Sequence, residues 1–153
     1  MRISRHSMFM EIAHVIAKRS TCFRLNVGAV IVANKRIIGT GYNGPAAGEN
    51  HCTGNDCAPP GSGCGRAVHA EINALRSMPV SSRDDAKVLY VTASPCKACL
   101  TQINNSLYRI TAIYYGSLYR VSDHLNECPI PLFRITPSGY VIDHKTNEIV
   151  EAP

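Results

Sequence analysis

Apolar side chains recur every three or four residues at Phe9, Ile12, Ala13, Ile16 and Ala17. That spacing predicts an amphipathic helix over residues 7–19, with Ser7 as its cap and Glu11 in its first turn. His14 falls inside this helix and reads as a structural residue. Val27 to Ala33 is β-branched and apolar, Arg36 to Tyr42 repeats the pattern, and Asn34-Lys35 between them suits a tight turn. The pair therefore predicts an antiparallel hairpin. Residues 43–66 are rich in Gly, Pro, Asn and Cys and show no period, which inside a compact domain points to function or a metal holding the loop.

Beyond this loop, Val68, Ile72 and Leu75 mark one face of a helix running to Met78. Lys87 to Thr92 reads as a buried strand, Pro95 suits the first turn of the next helix, and Ile110 to Tyr115 is a further strand. Strand, helix, strand in this order implies a parallel pair joined by a right-handed crossover. After Tyr119 the pattern weakens. Cys128-Pro129-Ile130-Pro131-Leu132 reads as a loop or edge segment, and Tyr140–Asp143 with Glu148–Val150 reads as a short terminal hairpin. The fold class is α/β, a three-layer α/β/α sandwich with helices on both faces of a mixed sheet. There are no repeats, and residues 1–153 read as one domain with a core near 9–119 and a C-terminal extension at 120–153.

No apolar run approaches the ~20 residues that span a bilayer, and the first residues lack the pattern of a signal peptide, so the expected location is cytoplasmic. The formal charge is +5, with Lys and Arg scattered singly or in pairs such as Lys18-Arg19 and Lys35-Arg36. No basic block announces a nucleic-acid stripe. A basic pocket mouth suited to a phosphorylated small substrate remains compatible with this balance. Seven cysteines in a reducing compartment suggest metal before disulfides.

The chemistry lies in two short stretches. His69-Ala70-Glu71 opens an apolar run, and Ser94-Pro95-Cys96-Lys97-Ala98-Cys99 follows a strand. One histidine and two cysteines make a three-ligand zinc set with the fourth position open, as in catalytic sites. Cys96 and Cys99 share a helix face. Residues two apart on a helix point in opposite directions, so His69 and Glu71 serve one site only if His69 stands at the helix start, outside regular geometry. Two helix N-termini then converge on one metal, where unpaired N–H groups favour thiolates. Zinc acidifies water to a pKa of about 7. Glu71, two residues from a ligand, is placed to move protons rather than to bind metal. The competing structural reading is a zinc ribbon, which ordinarily uses four protein ligands.

Together the two stretches resemble the signature of zinc-dependent nucleobase deaminases. Cys22-Phe-Arg-Leu-Asn-Val-Gly-Ala, then Thr40-Gly-Tyr-Asn-Gly, then His51-Cys52 resembles the deoxycytidylate deaminase family from about residue 9 to residue 119. The resemblance implies a cytidine-deaminase-like fold with a five-stranded sheet, hydrolysis of dCMP to dUMP and ammonia for thymidylate synthesis, and a homohexamer. It implies a second, structural zinc on Cys22, Cys52, Cys57 and Cys64, with His51 as an alternative ligand. It places Asn43 on the sugar hydroxyl, the Ala70 N–H on the base carbonyl, the Ser94 carbonyl on the leaving amine and Tyr119 over the pyrimidine. Arg24 and Arg120 are our candidates for the 5′-phosphate, because guanidinium forks suit phosphate oxygens. Cys128 reads as a small buried apolar residue.

Regulated members carry Gly-Tyr-Asn-Gly-x-Pro-x-Gly, associated with dCTP activation and dTTP inhibition, with Mg2+ accompanying the nucleotide effector. Here Gly44-Pro45-Ala46-Ala47-Gly48 displaces the proline by one position, which changes the loop backbone. Three rivals to dCMP stand beside it: a 5-methyl- or 5-hydroxymethyl-dCMP deaminase, a nucleic-acid base deaminase, and a non-catalytic zinc-binding module.

Overall fold

The structure is a computed structural model, and it describes residues 1–59, 63–119 and 123–153. Helix α1 spans Arg5–Ala17, starting two residues before the predicted start. Its cap is Ser4, whose hydroxyl accepts from the Ser7 N–H at 3.1 Å. Ser7, the predicted cap, lies inside the first turn, and no acidic residue does. Strands β1 (Gly28–Ala33) and β2 (Arg36–Tyr42) form the expected hairpin. Asn34 and Lys35 both take positive φ, the geometry that matches strand twist in a two-residue turn.

The loop at 43–66 is not free of order. A two-residue strand β3 (Gly44–Pro45) pairs with β4 (Ala67–Val68), closing its ends. Arg66 grips the Asp56 carboxylate and donates to the Asn50 carbonyl at 2.9 Å. The Gly44-Pro45 dipeptide that departs from the regulated pattern forms this short ladder, and Gly48 takes φ +89°.

Helix α2 (Ala70–Ser77), strand β5 (Lys87–Ala93), helix α3 (Lys97–Asn104) and strand β6 (Ile110–Ser117) follow. The pair β5–β6 is parallel, as expected. The sheet holds seven strands among the described residues, which corrects the five expected. The difference lies in the C-terminal extension. Leu132–Ile135 (β7), expected as loop or edge, pairs parallel to β6, and β8 (Val141–Asp143) with β9 (Ile149–Glu151) continues the sheet antiparallel. The predicted terminal hairpin exists, but it extends the main sheet. The order is β2-β1-β5-β6-β7-β8-β9.

Strand β1 is buried along its whole length because helices cover both faces. Ala29 and Ile31 join Leu89, Val91, Ile113 and Tyr115 under α2 and α3, while Val30, Val32 and Tyr90 meet Phe9, Met10 and Ala13 of α1. Cys128 is 3% exposed within the first of these clusters, as its sequence reading required. Two glycines let the helices approach. A Cβ on Gly28 would come within 2.0 Å of the Ala13 carbonyl oxygen, and one on Gly41 within 2.2 Å of the Ala70 carbonyl oxygen. Gly41 therefore sets how closely the first turn of α2 lies on the sheet.

Candidate active site

Helix α2 begins at Ala70, and its N-cap is His69 with extended backbone, φ −73° and ψ 154°. This is the geometry demanded by placing His69 and Glu71 in one site. Helix α3 begins at Lys97, and its N-cap is Cys96, also extended. Pro95 thus precedes the cap and is not in the first turn. Cys99, at the third helical position, donates its backbone N–H to the Cys96 sulfur at 3.4 Å. A thiolate here takes the place that a serine or aspartate oxygen fills at ordinary helix starts.

The two helix starts bring three donors together. His69 Nδ1 lies 3.1 Å from Cys99 Sγ and 3.5 Å from Cys96 Sγ. All three donor atoms fall within 4.8 Å of one another, the only such metal-ligating set among the described residues. Tetrahedral zinc with bonds of about 2.0–2.3 Å needs donors roughly 3.3–3.8 Å apart, so small movements complete the fit. Imidazole with two thiolates is also a donor set suited to zinc.

Electrostatics agree. The hydrogen bond from the Cys99 thiol, with further help from His69 and the Cys99 N–H, holds the Cys96 thiol well below its ordinary range. Cys99 is pushed up, because it then holds the proton shared with Cys96 and is buried. The hydrogen bond to Cys96 raises His69 despite partial burial. The site thus favours a thiolate at Cys96, and a cation would draw the Cys99 proton off as well. Glu71 is 4% exposed. Burial pushes its carboxyl pKa up, partly offset by its own backbone N–H and by His69. A carboxyl so placed exchanges protons nearer neutrality than a solvated one.

The triad opens into a cavity of about 510 Å³. Asn43, Ala70, Ser94, Tyr119 and Arg24 all line it, as do Cys22 and Cys64. Asn43 is heavily engaged by its own chain. Its Oδ1 accepts from Ser20 Oγ at 2.6 Å and from the Val27 N–H at 2.8 Å, and its Nδ2 donates to the Leu25 carbonyl at 2.7 Å. An amide has two N–H groups, so one remains for a ligand. Ser94 is buried, and its hydroxyl accepts from the Tyr119 N–H at 2.9 Å. Arg120 lies outside the described residues.

The four loop cysteines are not drawn into a metal-ligating cluster as tight as the triad. Cys52 lies near Cys57 and Cys22, whereas Cys64 faces the cavity and His69, and His51 is exposed. The cavity wall also includes Leu25, Lys97 and His124. Lys97 sits inside the Cys96-to-Cys99 spacing and was findable there. His124 stands in a stretch without periodicity and left no signal. No helix among the described residues is long and apolar enough to cross a membrane.

Comparison with known proteins agrees with this geometry. The family model described as "cytidine and deoxycytidylate deaminase zinc-binding region" matches residues 3–117. ComE operon protein 2 of Bacillus subtilis is 40% identical over 127 residues, covering 82% of this chain and 66% of that protein. The chain thus spans just under two thirds of that relative's length. The deoxycytidylate deaminase of Mycobacterium phage D29 is 45% identical over 106 residues, covering 60% of this chain and 79% of that one. The crystal structure of the dCMP deaminase from cyanophage S-TIM5 in complex with dCMP and dUMP superposes with a TM-score of 0.72 at 29% identity, over 88% of this chain and 98% of that one. The chain belongs to the cytidine and deoxycytidylate deaminase family.

Proposed function

We propose that this chain is a zinc-dependent hydrolase that converts dCMP and water to dUMP and ammonia. The observation that carries the reading is the buried Glu71 carboxyl beside the His69, Cys96 and Cys99 donors, at two converging helix starts inside one cavity. Zinc held by these three residues would supply Lewis acidity and a water acidified toward a pKa of about 7. Glu71 takes the proton of the attacking water, passes it to the ring nitrogen of cytosine, and later delivers a proton to the departing amine. The Ala70 N–H, at an unpaired helix start, holds the base carbonyl. The Ser94 carbonyl accepts from the leaving amine, Tyr119 covers the pyrimidine, and the remaining Asn43 N–H binds the sugar. Arg24 and Arg120 take the 5′-phosphate. The phage relatives named for dCMP support this substrate.

The same reading carries its finer parts: a homohexamer in the cytoplasm, and dCTP with Mg2+ or dTTP as effectors. A second zinc on Cys22, Cys52, Cys57 and Cys64, with His51 as the alternative, would hold the 43–66 loop. Cys57→Ser then lowers zinc content to one per chain, and undiminished zinc removes Cys57 from that set.

The test of the activity is a deamination panel on zinc-replete protein, followed by ultraviolet absorbance. It contains cytidine, deoxycytidine, dCMP, 5-methyl-dCMP and dCTP, each with and without dCTP or dTTP as effector. Preferred turnover of dCMP is expected. Silence on every free nucleotide overturns the reading, and stronger turnover of 5-methyl-dCMP moves the substrate to a 5-substituted nucleotide.

A further inference from the structure

The turn that carries Cys96 is gripped by the end of β6 and the chain that follows it. The Ser94 N–H donates to the Ser117 carbonyl at 2.8 Å, and the Tyr119 N–H donates to the Ser94 hydroxyl at 2.9 Å. One residue further on, His124 Nε2 lies 2.9 Å from the Pro95 carbonyl oxygen. A carbonyl only accepts, so Nε2 carries the hydrogen and donates it. Proline has no N–H, which makes this carbonyl the sole backbone hydrogen-bonding group of Pro95. The bond therefore falls on the residue directly before a metal donor, in a turn that helical hydrogen bonding does not yet hold.

The grip has a fixed base. His124 sits in a 3-10 turn over Asp123–Leu125, and Leu125 is 1% exposed within the core under α2 and α3. The Pro95 side chain is itself fully buried. The family match ends at residue 117, so His124 lies in chain beyond it that still forms the wall of the cavity.

We propose that His124 is a positioning residue for the metal centre. Its Nε2–H on the Pro95 carbonyl holds the Ser94-Pro95-Cys96 turn so that the Cys96 sulfur stays in register with His69 and Cys99. In this role His124 neither ligates the metal nor touches the reacting atoms. The inference rests on the reading of the site as a zinc-holding deaminase centre. Outer partners of metal sites typically contribute about 10–100-fold in affinity or activity.

The test uses the whole zinc-loaded chain with two replacements of similar reach. His124→Gln keeps an N–H donor near the Nε2 position, and His124→Met removes it. Zinc release to a chelator is timed, and kcat and KM are measured on dCMP. His124→Met should release zinc about 10-fold faster and lower kcat with little change in KM, and His124→Gln should restore both. Equal behaviour of the two variants, or parental zinc release by His124→Met, overturns the proposal. So does a change confined to KM, which would assign His124 to substrate contact instead. If His124→Met does not fold, His124→Leu, which removes the same donor with a shorter side chain, must release zinc faster, and parental release there overturns it equally. Faster zinc release by His124→Met, restored in His124→Gln, from a protein whose parent never deaminates dCMP would refute the substrate reading and leave the role of His124 standing.

Discussion

Replacing Gly41 with alanine should damage the site from behind. The added Cβ would lie 2.2 Å from the Ala70 carbonyl oxygen, 2.4 Å from the Ala74 nitrogen and 2.9 Å from the Asn73 carbonyl carbon. All three are backbone atoms of α2, so no side chain can swing aside, and the helix must move by about 1 Å to restore ordinary contact. Overpacking of this kind costs about 1–3 kcal/mol. The same movement displaces His69, which caps α2, and Glu71 in its first turn, while Cys96 and Cys99 stay on α3. A misplacement near 1 Å can cost ~10²-fold in rate. Urea unfolding, zinc content and turnover per folded chain measure the three effects separately. Gly28→Ala supplies the contrast. Its Cβ would meet the Ala13 oxygen at 2.0 Å and the Ala17 nitrogen at 2.5 Å, both on α1, which carries no metal donor. It should lose stability while keeping its zinc. Parental stability and turnover in Gly41→Ala would refute the reasoning, as would equal zinc loss in both variants.

Lys87 is fully buried in β5, and its ammonium donates to the carbonyls of Ser82, Arg83 and Asp85. Lys87→Met should therefore destabilise by about 1–3 kcal/mol in urea unfolding, with the zinc content of the folded fraction unchanged. His6 accepts or donates at Tyr90 Oη across 2.9 Å and pairs with Glu151 at 3.4 Å, yet burial outweighs that attraction and lowers its pKa. As pH falls below the ordinary histidine value near 6.5, the unfolded chain takes up a proton that the folded chain refuses. Stability should decline through that window and level off once the lowered folded value is passed. His6→Gln should flatten the decline, and an unchanged slope by unfolding at pH 7 and below would show that His6 does not set it.

Much of the site was legible because its constraints are local. His69 and Glu71, two apart, can serve one centre only if His69 leaves the helix, and the structure places it at the N-cap. Cys96 and Cys99 carry their own spacing, and the Asn34-Lys35 turn fixes the first hairpin. What was missed depends on distant partners. Leu132–Ile135 stands behind two prolines without alternation, and it becomes a strand only because β6 offers an edge. His124 reaches a backbone oxygen 29 residues away, which no motif encodes. The capping error at α1 is of another kind, because Ser4 and Ser7 both carry a suitable hydroxyl and the earlier one takes the role.

The most direct test of the central claim is turnover and zinc content of Glu71→Gln beside the parent. The amide keeps the size of the side chain and cannot carry protons. Zinc content should stay at the parental level, because His69, Cys96 and Cys99 are untouched, while dCMP turnover falls by about 10²–10⁴-fold. Parental turnover in this variant would contradict the assignment of Glu71 as proton carrier. Loss of zinc would instead make Glu71 part of the metal-holding set.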